Sequence, residues 1–204
     1  MKKVILSVVA LVAISFGAHA QRFDLGVNIP VGLPSGDIAD GLGLGIGGGV
    51  FAKYFVADNI AVGAEIDFLS FSGKEVDGVE GIGSTLMPLM VTGDYHVMPD
   101  EDFDFYGGLG IGYFMIGGDY GDALDELELS KGGLGIAPRV GINYLLADAL
   151  RINFNVGYNL VFSGDTYSET FDPGFGLPPI TVEVESPDFN YIAINLGVSY
   201  DLFD

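Results

Sequence analysis

The sequence predicts an all-β fold: an eight-stranded antiparallel up-and-down transmembrane β-barrel preceded by a cleavable signal peptide. Three observations carry this expectation. Apolar and small or polar residues alternate with a period of two through eight separate segments. The connections between those segments alternate short and long, as in barrels that cross a bilayer. The N-terminus has the layout of a secretory signal.

The signal comes first. Met1-Lys2-Lys3 is basic, Val4 to Gly17 is an apolar run, and Ala18-His19-Ala20 supplies the small residues of an A-x-A cleavage site. The run is shorter than the roughly 20 residues of a membrane-spanning helix. Residues 1–20 are therefore expected to be the signal peptide and 21–204 the barrel domain, with Gln21 as the mature N-terminus. Loss of Lys2 and Lys3 takes the basic residues from 8 to 6, against 28 acidic ones.

Each strand then follows from its alternation. Phe23, Leu25, Val27 and Ile29 share a face opposite Asp24, Gly26 and Asn28. Leu44, Ile46, Val50, Ala52 and Tyr54 oppose Gly43, Gly45, Gly47, Gly49, Phe51 and Lys53. Ile60 to Phe68 alternates with Gly63, Glu65 and Asp67, and Met87 to Tyr95 alternates more weakly with Met90, Thr92, Asp94 and His96. The second half repeats the pattern over 103–115, 134–144, 150–162 and 192–202. Several segments reach the roughly 9–11 residues that a tilted strand needs to cross a bilayer. Short turns are predicted at 56–59, 98–102 and 146–149, and long polar loops at 31–41, 71–83, 117–133 and 164–188. Pro88 and Pro138 fall inside predicted strands, where each removes a ladder donor and predicts a bulge or a late strand start.

The apolar faces end in aromatics. Tyr54, Tyr95, Phe103, Tyr144 and Tyr200 lie near the short-turn ends, and Phe68, Tyr113, Tyr158 and Phe162 near the other, as two headgroup-level girdles. A soluble ligand-binding barrel would turn the apolar face inward. Here the polar faces consist mostly of Gly and Asn, too small for a solvated exterior.

Composition removes other classes. A net charge of -20 excludes nucleic acid as a partner, because phosphate neutralisation needs Lys and Arg. With no Cys there is no disulfide scaffold, thiol chemistry, Cys-type zinc site or acylated lipoprotein anchor. No cofactor and no metal centre are expected.

The glycine-aromatic strand from Phe103 through Tyr106, Gly108, Gly110 and Gly112 to Phe114 resembles the small outer-membrane β-barrel family that includes the OmpA transmembrane domain and OmpX-like proteins. The closing strand Ile194 to Phe203 is similar to the family's C-terminal assembly signal, although Phe203 is out of phase with Leu202 and is followed by Asp204. The resemblance spans residues 21–204. It implies a multi-pass barrel in the Gram-negative outer membrane, surrounded by outer-membrane lipid and lipopolysaccharide, and a monomer. OmpX-like relatives further imply partner binding through strands that stand above the membrane. The loop 164–188, with the alternating segment Thr181 to Glu185, is thus the candidate surface for an extracellular protein partner, a rim hairpin without a partner being the plainer expectation.

Candidate sites are few. Gly43-x-Gly45-x-x-Gly48 matches a dinucleotide fingerprint formally, but it continues as a strand rather than opening a helix, so the glycines are expected on a narrow inner wall. Glu65 or Asp67 is expected to pair with Arg139 across the lumen, since an unpaired buried charge is costly. Arg151 with Asp94 and Asp104 is expected to form a second cluster near the short turns. Outside the signal peptide the one histidine is His96, predicted to sit as a bystander at the headgroup boundary beside a short turn, so no Ser–His constellation and no enzymatic activity are expected. The acidic segment 119–128 lacks EF-hand spacing and reads as a solvated loop, with weak divalent-cation binding as its alternative. Function is expected to be structural and surface-interacting, with a lumen plugged by side chains. A small pore or transporter for small solutes is the alternative, and eight strands leave little room for one.

Overall fold

A computed structural model describes residues 22–75, 81, 83–97, 102–118, 132–162, 166–171, 180–185 and 188–202. The signal segment, the acidic segment 119–128 and, in the loop 164–188, residues 164–165, 172–179 and 186–187 lie outside these residues.

Eight strands close on themselves. They are β1 (Phe23–Ser35), β2 (Leu42–Ala57), β3 (Ile60–Gly73), β4 (Ser84–Val97), β5 (Phe103–Gly118), β6 (Gly132–Ala147), β7 (Leu150–Phe162) and β10 (Asn190–Asp201). Each pairs antiparallel with its neighbour in sequence, and β1 closes the wall on β10, with Val27 opposite Val198 and Ile29 opposite Leu196. Between β7 and β10, β8 (Thr166–Phe171) and β9 (Ile180–Glu185) form a separate two-stranded sheet. The long loop therefore contains a hairpin outside the barrel wall. Closure satisfies every edge of the wall, which is the condition for a sheet to cross lipid.

The polarity of the wall is inverted relative to a soluble protein. Val91, Leu134 and Val140 point outward and are 68%, 67% and 65% exposed, whereas Glu65 and Asp94 point inward and are 4% and 3% exposed. The outer face is an apolar band with Tyr95, Phe103, Tyr144 and Tyr200 exposed near the short turns and Phe68, Tyr113 and Phe162 near the other rim. Such a band has no stable place in water and matches a hydrocarbon core.

The prolines behave differently from the sequence expectation. The β3–β4 ladder passes from Ile66 opposite Leu89 to Leu69 opposite Leu86 with its register unchanged around Pro88. Pro138 pairs with Leu109 on one side, and the register is likewise unchanged between Ile136–Leu160 and Arg139–Gly157 on the other. Each proline costs a ladder bond without adding a residue, so no bulge forms. Register shifts fall instead near strand ends, between Leu42 and Gly45, Phe55 and Ala57, and Leu145 and Ala147.

Inward glycines make room for particular neighbours. A Cβ on Gly45 would lie 2.6 Å from the Phe71 ring, one on Gly141 2.4 Å from the Tyr106 ring, and one on Gly108 2.0 Å from the Asp94 carboxylate. At the long-loop end, Gly36 takes a positive φ of 66° and turns the chain into a short 3-10 helix, Gly36–Ala39, which drops Ile38 into the barrel mouth.

Candidate functional site

The inward side chains divide the lumen into two halves. The half toward the long loops is apolar. Leu69, Phe71, Leu86, Phe114, Val161 and Tyr191 are at most 2% exposed, and Ile38 packs on them from above. Phe71, Phe189 and Tyr191 form an edge-to-face trio with centroid distances of 5.4, 5.8 and 6.4 Å.

The half toward the short turns is an ion-pair network. Arg139 on β6 is its centre. Its Nε and Nη2 donate to the two carboxylate oxygens of Asp94 on β4 at 3.0 and 2.9 Å, and its Nη1 donates to Glu65 on β3 at 2.7 Å. The Asp94 contact runs along the wall, because Asp94 is opposite Gly108 and Gly108 is opposite Arg139, leaving the space above the glycine to the two side chains. The Glu65 contact crosses the lumen. Lys53 reaches Asp94 at 3.0 Å and lies 4.1 Å from the centroid of the Tyr106 ring. These are desolvated, charge-assisted bonds, so each geometry is tightly held.

Asp67 does not pair with Arg139. It accepts from Asn28 Nδ2 at 3.0 Å, again across a glycine, Gly49, while Asn28 also reaches Glu65 at 3.4 Å. Glu65 sits two residues closer to the short turn on the same face and takes the guanidinium. Arg151 differs from expectation as well. It stands 3.6 Å from Asp24 and 3.7 Å from Asp201, not in a cluster with Asp94 and Asp104. The closing strand brings Asp201 beside Asp24, and β7 adjoins β10, so Arg151 meets that pair before it can reach β4 or β5.

Asp104 instead bonds His96 Nδ1 with both oxygens at 2.9 Å and accepts from Asn143 at 3.0 Å, which in turn accepts from Asn153 at 2.8 Å. His96 is therefore not at the headgroup boundary: it is 1% exposed inside the lumen, between Phe55 and Tyr106. Arg22 closes the mouth, bonded to Asp24, 3.8 Å from Asp201, 3.9 Å from Asp104, and over the Phe55 ring at 4.2 Å. Arg22, Lys53, Asp24, Asp201, Asn28 and Tyr106 are network members that sequence reasoning did not single out. Their signal was available in the phase they share with the inward glycines. Among the described residues, no three His, Cys, Asp or Glu side chains converge as a metal cage.

Small cavities lie within these layers, one of about 20 Å³ at the junction of the apolar and polar halves and one of about 10 Å³ below it. Neither connects the two ends.

A closed wall with a lipid-facing apolar exterior and a charged, filled interior matches one known architecture. The family described as outer membrane protein beta-barrel domain matches residues 6–202. The chain belongs to this outer-membrane β-barrel family. It is a transmembrane protein of the outer membrane, crossing with its strands. Comparison with curated proteins by sequence finds no match. Among solved structures, the barrel is similar to OprG from Pseudomonas aeruginosa, with 17% identity, TM-score 0.64, and 92% of this chain covering 99% of that one. It is similar to Neisserial surface protein A, with 13% identity, TM-score 0.61, and coverage of 91% and 99%. It is also similar to a major outer membrane protein from Thermus thermophilus, with 16% identity, TM-score 0.60, and coverage of 90% and 100%. At these identities the likeness is one of fold. In this family the short turns face the periplasm and the long loops the exterior, so the apolar half of the lumen is extracellular and the ion network periplasmic.

Proposed function

We propose that this protein is a monomeric structural barrel that presents its extracellular loops for interaction and does not conduct. The observation that supports it is the filled lumen. Apolar side chains from six strands occlude the outer half, hydrogen-bonded ion pairs occupy the inner half, and the cavity at their junction is only about 20 Å³. An interior of eight strands is just wide enough for side chains to fill. The surface role rests on the β8–β9 hairpin, a two-stranded sheet separate from the wall whose backbone edges offer strand addition to an extracellular protein. Residues 1–20 serve as the cleaved signal, to be checked by the mass of the exported protein, which should begin at Gln21. No catalytic role is assigned: among the described residues, the lumen histidine meets Asp104 and the Phe55 and Tyr106 rings.

Planar-bilayer conductance of the refolded protein tests this reading. A folded, heat-modifiable barrel that is electrically silent is the expected result. Discrete steps from the wild-type protein would make it a small-solute pore and identify Glu65, Asp94 and Arg139 as the constriction to mutate. Deletion of 166–185 should leave folding intact and abolish any surface binding that the full chain shows.

A further inference from the structure

Counted as fully ionised, the centre of the ion network has one negative charge too many. Glu65, Asp67 and Asp94 face Lys53 and Arg139, and both cations are committed to Asp94, with Arg139 also bound to Glu65. Asp67 is buried and makes no ion pair within this group. A water molecule in the cavity of about 20 Å³ beside it would hydrate the carboxyl without neutralising it.

What Asp67 meets instead is a second carboxyl group. Residues 65 and 67 share the inward face of β3, and the Asn28 amide nitrogen donates to both, at 3.4 Å to Glu65 Oε1 and 3.0 Å to Asp67 Oδ1. One donor bridging two carboxyls keeps them together, and a side-chain hydrogen bond joins Asp67 to Glu65 directly. Ionised carboxylates only accept, so that bond requires a proton on one of the two. The guanidinium decides which. Glu65 accepts from Arg139 Nη1 at 2.7 Å and stays ionised, which leaves the proton to Asp67. Two ionised carboxylates buried side by side would repel each other with no second cation to offset them.

The other groups around the pair that titrate or carry charge are Arg139 on β6 and, through it, Asp94 on β4 and Lys53 on β2, with the phenols of Tyr106 on β5 and Tyr191 on β10. From β1 and β7 the pair is faced by the amides of Asn28, Asn155 and Asn159. We infer that Glu65 and Asp67 form a proton-binding site, a hydrogen-bonded acid pair in which Asp67 holds one proton in the folded barrel and donates it to Glu65. The proton completes the charge balance of the plug and makes the barrel sensitive to pH. Its loss sets a second carboxylate against Glu65 and in competition for Arg139, at the contact that joins β3 to β6 across the lumen. The sign follows from proton counting. Above the ordinary aspartate range the folded barrel holds one proton more than the unfolded chain, so stability is lost as pH rises.

The experiment compares urea unfolding of the refolded wild-type barrel and of Asp67→Asn in lipid vesicles of one composition, from about pH 5 to about pH 7. The ratio of the two unfolding equilibrium constants, wild type over variant, should rise about tenfold per pH unit, the linkage slope for a single proton. His96 and the remaining carboxyls are common to both proteins and drop out of the ratio. A ratio that stays flat would mean that Asp67 is ionised in the folded barrel, and would overturn the site. If the variant does not refold, the infrared spectrum of the wild-type protein at about pH 7 decides. A carbonyl stretch of a protonated carboxyl group, present in the folded barrel and lost on heat denaturation in detergent at the same pH, supports the acid pair. Its absence from the folded barrel overturns it.

Discussion

The two halves of the lumen close the same barrel by different physics. The extracellular half is filled by Leu69, Phe71, Leu86, Phe114, Val161 and Tyr191, whose contribution is proportional to buried area and indifferent to direction. The periplasmic half is filled by Arg139, Glu65, Asp94, Lys53, Asp104 and His96, whose contribution depends on each donor meeting its acceptor. A defect in the first leaves a void. A defect in the second leaves a charge. The second is the more damaging, because the remaining partner can neither reach water nor relax.

Arg139→Ala is therefore expected to have the largest effect. It strips Glu65 of its cation and Asp94 of two of its three charged contacts, and should destabilise the barrel by about 4 kcal/mol, measured by urea unfolding in lipid vesicles. Glu65→Gln in the Arg139→Ala background should recover part of that loss, because it removes one of the orphaned charges. Leu86→Ala, in the apolar half, should cost about 3 kcal/mol with folding and heat-modifiability retained. If the leucine variant proved the more damaging, the distinction between a directional and a non-directional half would fail.

Gly108→Ala probes the wall of the polar half rather than its charges. The added methyl group would fall 2.0 Å from Asp94 Oδ1 and 2.7 Å from the Gly93 carbonyl oxygen. Asp94 must then move off the guanidinium, at an expected cost of about 2 kcal/mol. Combining Gly108→Ala with Arg139→Ala should be less than additive, since both act on one contact.

That glycine also shows how far the sequence could be read. Alternation placed Gly108, Asp94, Glu65, Asp67 and Arg139 on the inward face, and the topology followed from loop lengths, because a period of two and a closed wall leave a strand only one burial pattern. The pairing inside was less legible. Counting residues from the short turns treats strands as level, whereas the strands of a closed barrel tilt and stagger. Counting does bring Glu65 to Arg139 across the lumen, but it misses Asp94, two strands away, which reaches the same guanidinium across Gly108. Depth alone groups Arg151 with Asp94 and Asp104, whereas the β1–β10 seam brings Asp24 and Asp201 beside it. Distance to a turn puts His96 at the boundary, but its phase, shared with Asp94, is the better guide to its burial.

The smallest effect is expected at the periplasmic mouth. Arg22 and Arg151 are each 15% exposed at the side chain, more than Arg139 at 6%, and most of their contacts to Asp24, Asp104 and Asp201 are longer, at 3.6–3.9 Å. Arg151 Nη1 itself is buried, but the rest of each guanidinium is partly exposed and the contacts are long, so solvent and salt weaken these pairs more than those of Arg139. Arg151→Ala should therefore cost about 1 kcal/mol or less at low ionic strength, and the loss should shrink further when a bulky salt such as choline chloride is raised toward about 1 M. The Arg139→Ala deficit should stay constant over the same titration. A deficit at Arg151 as large and as salt-insensitive as that at Arg139 would mean that the ion network is one buried unit extending to the mouth, instead of a dry centre with a wet rim.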